Sequence, residues 1–372
     1  MDPITQGALG AVASQSARRR HTLLPLTAMA ALAGMSPDLD VLIRSNTDPL
    51  LFLEYHRHFS HSLAFIPLGA LLCCLVLHPL LGVRAHATRW QSYWVCLFGY
   101  ATHALIDGCT TYGTLLLWPF SNERFAWGSI GIVDLFYTVP ILIGIYYSIK
   151  LRSSWPARLL MIWVFVYPTI GWYQHHKAEQ VAQLYLSNAL THAPRQLANS
   201  VTQTPPPADS VVRISAKPTV MNLVLWKIVI ETNDRYYVDA VRVGVFESPK
   251  DALYSLGNSI EKLNVSRDLP WLDPNSQQAK DIQRFSDFSM GYVALDEGTH
   301  INVEDFKKPE EALPLRIMDV RYSLLPNEIK PIWSIGLDPN APSDQHVTYD
   351  GHRDASSEVR KAFWSLLFPS AR

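Results

Sequence analysis

The stretch EYHRHFSHSLAFIPLGALLCCLVLHPLL, residues 54–81, decides how the chain is read. Its first nine residues hold three histidines, an arginine and a glutamate. An apolar run of roughly 20 residues, membrane length, follows at once. Ionisable groups are costly beside such a run, and those found there usually serve a site. His56, His58 and His61 therefore need a chemical reason, and the run behind them predicts a membrane helix.

The same contrast extends along the chain. Residues 22–174 are dense in Leu, Ile, Val, Trp, Tyr and Phe, whereas 205–372 have the composition of a water-soluble protein. A net charge of −1 over 372 residues leaves no basic field for nucleic acid. Charged residues, 17 %, are few for a soluble chain. Segments 91–108, 132–149 and 157–174 also approach membrane length, and 23–35 spans with tilt. The expected fold is a multi-pass α-helical membrane domain of about five helices, over 1–175. A helix and Pro-rich linker follow at 176–210, then a soluble α+β or mainly β domain at 211–372. The linker contains TPPPADS, whose prolines neither continue a helix nor cross a sheet. After it, VVRISAK, LWKIVIET and RYYVDAVRVGVF read as strands, and SSEVRKAFWSLLF as a closing helix with a Ser cap.

Loop charge gives an orientation. With five spans, Arg18, Arg19, Arg20, Arg84, Arg89, Lys150 and Arg152 share one side, and Arg44, Arg57 and Arg124 the other. The positive-inside rule places the N-terminus in the cytoplasm and 211–372 outside it. The four cysteines include no CxxC pair, which excludes a zinc ribbon or a thioredoxin-like motif.

On this topology four separate pieces converge at one membrane face. SPDLD supplies Asp38 and Asp40, HRHFSHS supplies His56, His58 and His61, HALID supplies His103 and Asp107, and Asp134 opens the fourth span. His103 and Asp107 are four apart and share a helix face. Imidazole and carboxylate together suit Zn²⁺, Mn²⁺ or Fe²⁺. His56 and His61 would point about 140° apart on one helix, so they converge only across a bend, for which Ser60 or Ser62 offers a cap. His58 and His61 form the rival pair. Asp38 and Asp40 divide into a ligand and a residue that orients a histidine. Asp134 alone also fits a simple helix-dipole partner.

MDPITQGALG, SPDLD, HRHFSHS, HALIDGCTTYGTLLLWPF and the IVD of 132–134 resemble, in order, the motifs of the YdjM family of bacterial membrane-bound metal-dependent hydrolases. The resemblance covers roughly residues 1–140. Through the grouping of that family with zinc-dependent phospholipase C and P1-type nucleases, it implies a helical metal site and phosphoester hydrolysis. Its polar positions fall on Asp2, Asp38, Asp40, His56, Arg57, His61, His103, Asp107 and Asp134. Gln6 stands where the family usually has histidine, and His58 where it usually has glycine.

The expectation is a metal-dependent hydrolase of the bacterial inner membrane, acting on a phosphoester or lipid-linked substrate through a metal-activated water. Asp40, His56, His61, His103 and Asp107 are its metal ligands, with Zn²⁺ the first candidate. Asp38 and Asp134 are its candidate bases or orienters, and Arg57 its partner for an anionic group. The lipid bilayer is the expected partner, and no nucleic acid is expected. The rival readings are a non-catalytic membrane or envelope stress protein with a structural metal, and a transporter. A transporter places its site nearer the midplane.

Overall fold

The computed structural model describes residues 1–17, 24–188, 205–296, 315–351 and 356–369, so Arg18, Arg19 and Arg20 lie outside the described residues. Capping chemistry sets the early helices. Asp2 accepts the Thr5 N–H ahead of Pro3 and starts α1 (Pro3–Ser16). Helix α2 (Leu24–Met35) runs into a 3₁₀ turn, Ser36–Leu42, opened by Pro37. The short α3 (Leu51–Tyr55) precedes α4 (Ile66–Leu77). A Thr88/Gln91 capping box begins α5 (Arg89–Gly108), and Asp134 caps α6 (Leu135–Lys150). Helix α7 covers Trp155–Leu186.

The chain divides into two compact units. The first comprises Met1–Ile43, Glu54–His175 and Pro218–Leu223; the second comprises Arg44–Leu53, His176–Lys217 and Val224–Arg372.

In the first unit α1, α2 and α5 meet through small residues. A Cβ on Gly10 or on Gly99 would stand 2.4 Å from the Ala30 carbonyl oxygen, so glycine is what lets the three backbones approach. Gly99→Ala is expected to destabilise this unit by about 1–3 kcal/mol, since the obstacle is backbone and cannot rotate away. Thermal unfolding in detergent measures this, and an unchanged midpoint would refute the packing argument.

The structure overturns the expected multi-pass membrane domain. No single described helix is long and apolar enough to cross a membrane. The apolar run of 62–81 does not form one rod: its helix begins at Ile66 and gives way to a π turn at His78–Gly82. Helix α5 has the length but carries His103 and Asp107, and α6 has only 16 residues. Helix α7 is long, but it too lacks a window apolar enough to cross a membrane. One bent pair, Leu51–His61 with Ile66–Gly82, meets the length and composition test jointly. The predicted orientation of the termini therefore has no support from spanning helices. The apolar residues that prompted the reading are nonetheless exposed, among them Leu71, Leu75 and Val76 on α4 and Phe136 and Ile143 on α6.

The second unit holds two four-stranded sheets in simple sequential order. The first contains β1 (Val211–Pro218), β2 (Leu225–Thr232), β3 (Arg235–Arg242) and β4 (Leu253–Glu261). The second contains β5 (Val293–Asp296), β6 (Leu315–Asp319), β7 (Trp333–Leu337) and β8 (Thr348–Gly351). Between the sheets in sequence lie a single turn, α8 (Val265–Asp268), and α9 (Gln277–Phe288); α10 (Ser357–Leu367) closes the chain. Strand β2 is buried at every position. One of its faces joins Trp226, Ile228 and Ile230 to Ala178, Val181 and Tyr185 of α7. The other joins Val229 to Tyr292, Ala294 and Met318.

Segment Arg44–Leu53 belongs to this second unit although both of its flanks belong to the first. Arg284 on α9 grips Asp48 through two hydrogen bonds, 2.8 and 3.0 Å, and Phe52 meets Tyr349 edge-on. The segment is thus built into the fold of residues far downstream.

Candidate metal centre

The 3₁₀ turn after α2 points Asp38 and Asp40 to different tasks. Asp40 is 5 % exposed and gathers the HRHFSHS segment around its carboxylate. Oδ2 accepts the Arg57 backbone N–H at 3.0 Å and the Ser60 hydroxyl at 2.9 Å, while Oδ1 pairs with His56 Nδ1 at 2.9 Å. Burial pushes this carboxyl up, but hydrogen bonds from His56 and His61 outweigh it and hold it below the usual carboxylate range.

The bend between His56 and His61 is present, but no serine cap makes it. The break is at Arg57, whose φ of 62° lies in the left-handed region, and a 3₁₀ turn at Phe59–His61 follows without a side-chain cap. A non-glycine residue there costs about 1–2 kcal/mol, and the Arg57 N–H bond to Asp40 helps to hold it.

Asp38, His61, His103 and Asp107 form the tightest group. One ligand atom from each lies within 4.8 Å of the others. His61 Nε2 is 2.8 Å from His103 Nε2, 3.3 Å from Asp38 Oδ1 and 3.3 Å from Asp107 Oδ2. His103 Nε2 is 3.4 Å from Asp38 Oδ1 and 3.6 Å from Asp107 Oδ2. Burial again opposes ionisation of Asp38, and His103 and His61 overcome it, so its carboxyl also sits below the usual range.

The other ring nitrogens assign the tautomers. His103 Nδ1 is 2.6 Å from the Gly34 carbonyl, which can only accept, so Nδ1 carries the proton. His61 Nδ1 faces the Ser60 oxygen at 3.0 Å and Asp40 Oδ2 at 3.2 Å, and the Ser60 proton already goes to Asp40. His61 Nδ1 is therefore the donor as well. In the neutral rings both Nε2 lone pairs then face each other and two carboxylate oxygens. Asp107 Oδ2 and Gln6 Oε1 are also buried with no hydrogen-bond partner. Arg57 and the Met1 ammonium offset part of this negative charge, and a divalent cation would fit among the four facing acceptors. Without one, a proton must serve: burial lowers the basicity of His61, but Asp107, Asp38 and Asp40 raise it to about 10. Ligands about 2.0–2.1 Å from a tetrahedral ion stand about 3.3 Å apart, close to the spacings here. The donor set, two imidazoles and two carboxylates, suits Zn²⁺ or a similar divalent ion.

Around this group the partners are fixed. Arg57 is 3 % exposed; its Nε is 3.1 Å from Asp107 Oδ2, and Nη1 donates to Thr110 Oγ1 at 2.7 Å. Arg57 thus neutralises Asp107 rather than reaching outward. The Met1 ammonium contacts Asp107 Oδ1. Gln6 Nε2 lies 3.1 Å from both His103 Nε2 and Asp107 Oδ1, so the residue in the usual histidine position does enter the site.

A second group joins Asp38, Asp40 and His56, one atom each within 4.8 Å. Asp38 is common to both groups. Asp134 belongs to neither: it accepts the Phe136 and Tyr137 N–H groups and the Tyr167 hydroxyl at 2.7 Å. His58 also stays outside, packed against Trp118 and Tyr55. The roles of Gly34 and Gln6 escape sequence reading. A backbone carbonyl leaves no residue signature, although the small residues that let α2 approach α5 hint at it.

Residues 1–178 match the family model described as YdjM inner membrane protein. This part of the chain belongs to that family. The YdjM region contains every residue of both groups, and its family name gives the setting as an inner membrane. Comparisons with curated proteins and with solved structures find no match. The expected likeness to phospholipase C and P1-type nucleases is therefore not seen.

Proposed function

We propose that the YdjM region is a metal-dependent hydrolase of the inner membrane, acting on phosphoesters. The carrying observation is the meeting of two imidazole Nε2 lone pairs and two carboxylate oxygens, drawn from three distant segments. Asp38, His61, His103 and Asp107 would hold the ion. A divalent ion there lowers the pKa of a bound water and polarises a phosphoryl oxygen. Asp40 and the Gly34 carbonyl keep both histidines in the ligating tautomer. Arg57 balances the charge of Asp107. His56 is half-buried on the rim, held by Nδ1 on Asp40, which leaves Nε2 to take or give a proton.

Elemental analysis of the purified full-length protein tests the site. Wild type is expected to carry at least one divalent ion per chain, and His61→Ala or His103→Ala to keep under roughly a tenth of it. Full metal content in both variants would sink the site. His56→Ala counts the ions: a fall from two to one shows that the second group is loaded too. A panel of phosphoester substrates then tests turnover by the metal-loaded wild type.

A second reading is a structural ion. It is favoured by one observation: His61, His103 and Asp107 are fully buried, and only Asp38 is partly exposed. Metal-dependent thermal stability with no turnover across the panel would select it.

A further inference from the structure

Beside the metal centre runs an apolar groove of about 740 Å³, within the range of ligand pockets, about 300–1,000 Å³. Its lining is mostly apolar, with polar atoms from Ser36, Cys73 and Tyr100 as well as from the metal-centre side. Asp38, Asp40 and Ser60 stand there, and the same Asp38 belongs to both metal-competent groups. The rest of the lining is largely hydrocarbon, including Leu32 on α2, Phe65 before α4, and Leu72, Val76 and Leu77 on α4. Leu72 and Val76 are one helical turn apart and remain 50 % and 62 % exposed. Leu68, Leu71 and Leu75, also exposed, continue the apolar surface of α4. The groove thus joins metal-competent carboxylates to hydrocarbon walls, and α4 contributes both to its lining and to an exposed apolar surface.

We propose that this groove takes the acyl chain of a membrane lipid whose headgroup phosphoester reaches Asp38. The inference rests on the hydrolase reading and names its substrate class. Three features choose the occupant. A water-soluble phosphoester has no use for a hydrocarbon trough leading from the ligands. A polar polymer would find few hydrogen-bonding groups along it. An inner-membrane protein is surrounded by acyl chains at high local concentration, and the exposed face of α4 gives them a lateral way in. The reaction is hydrolysis: water adds to phosphorus, one P–O ester bond breaks, and the alcohol leaves with a proton.

The test is photo-crosslinking of full-length protein in phospholipid nanodiscs with a diazirine-tailed phospholipid, with adducts mapped by mass spectrometry. Adducts are expected to concentrate on residues 65–77. Val76→Trp, which fills the trough from an exposed position, is expected to lower them roughly tenfold, and Leu72→Trp likewise. Adducts spread evenly over α4, α6 and α7, or unchanged in both variants, would overturn the proposal. The readout does not depend on turnover. Hydrolysis of soluble phosphoesters with no adducts in the groove rejects the groove and leaves the hydrolase standing. Adducts in the groove with no turnover of any phosphoester reject the hydrolase and leave the lipid site.

Discussion

Asp40→Ala is expected to empty the metal centre and to destabilise the first unit by about 3–5 kcal/mol. Asp40 touches neither the tightest ligand group's Nε2 atoms nor the Gln6 side of the site, yet it organises the whole HRHFSHS turn. Its loss strands the Arg57 N–H and the Ser60 hydroxyl, both buried, and each stranded donor costs about 1–3 kcal/mol. It also removes what steadies Arg57 in its left-handed conformation. Asp40→Asn is the instructive partner. Asparagine keeps an acceptor for Arg57 and Ser60, but its amide must donate to His56 Nδ1, which moves the ring proton to Nε2. Metal content and stability are then expected to recover while turnover stays low. Thermal unfolding with elemental analysis separates the cases; an Asp40→Ala protein with normal metal content would refute the organising role.

The second large effect lies in the second unit. Asp239 on β3 is 2 % exposed and accepts the Tyr254 hydroxyl at 2.8 Å and the Gly257 N–H at 2.9 Å. Burial raises its carboxyl to about 6, against the hydrogen bonds that favour ionisation. A folded value above the unfolded one means that the stabilisation is complete below about pH 4 and is lost as pH rises through 6. The accumulated cost at pH 8 is about 2–3 kcal/mol. Asp239→Asn keeps the acceptor for Gly257 and donates to Tyr254, so it carries no such cost. The variant is expected to exceed wild type by that amount at pH 8 and to match it near pH 4. Denaturant unfolding at both values checks this, and a pH-independent difference would exclude the ionisation of Asp239 as the cause.

What the sequence could disclose varies with the physics of each element. The His103–Asp107 pair follows from helical spacing alone, since residues four apart share a face. The need for a bend between His56 and His61 follows from the same geometry. Its agent does not, because any residue forced into a left-handed φ by its hydrogen bonds can supply it. The apolar segments suggest spanning helices for a related reason. Apolar content persists through 62–81, but helix geometry changes at Phe65 and again at His78, and hydropathy is blind to both. Asp134 illustrates a third limit: a carboxylate at a helix start has the same sequence signature whether it meets substrate or caps the helix.

The grip of Arg284 on Asp48 sets a timetable. The two residues are 236 positions apart, and the segment they secure lies between Asp40 and His56. At about 5–20 residues per second, roughly 12–47 s of synthesis separate them. The stretch between Asp40 and His56 therefore gains that anchor only after residue 284 is made. A chain stalled before residue 284 would carry every candidate ligand but lack that anchor.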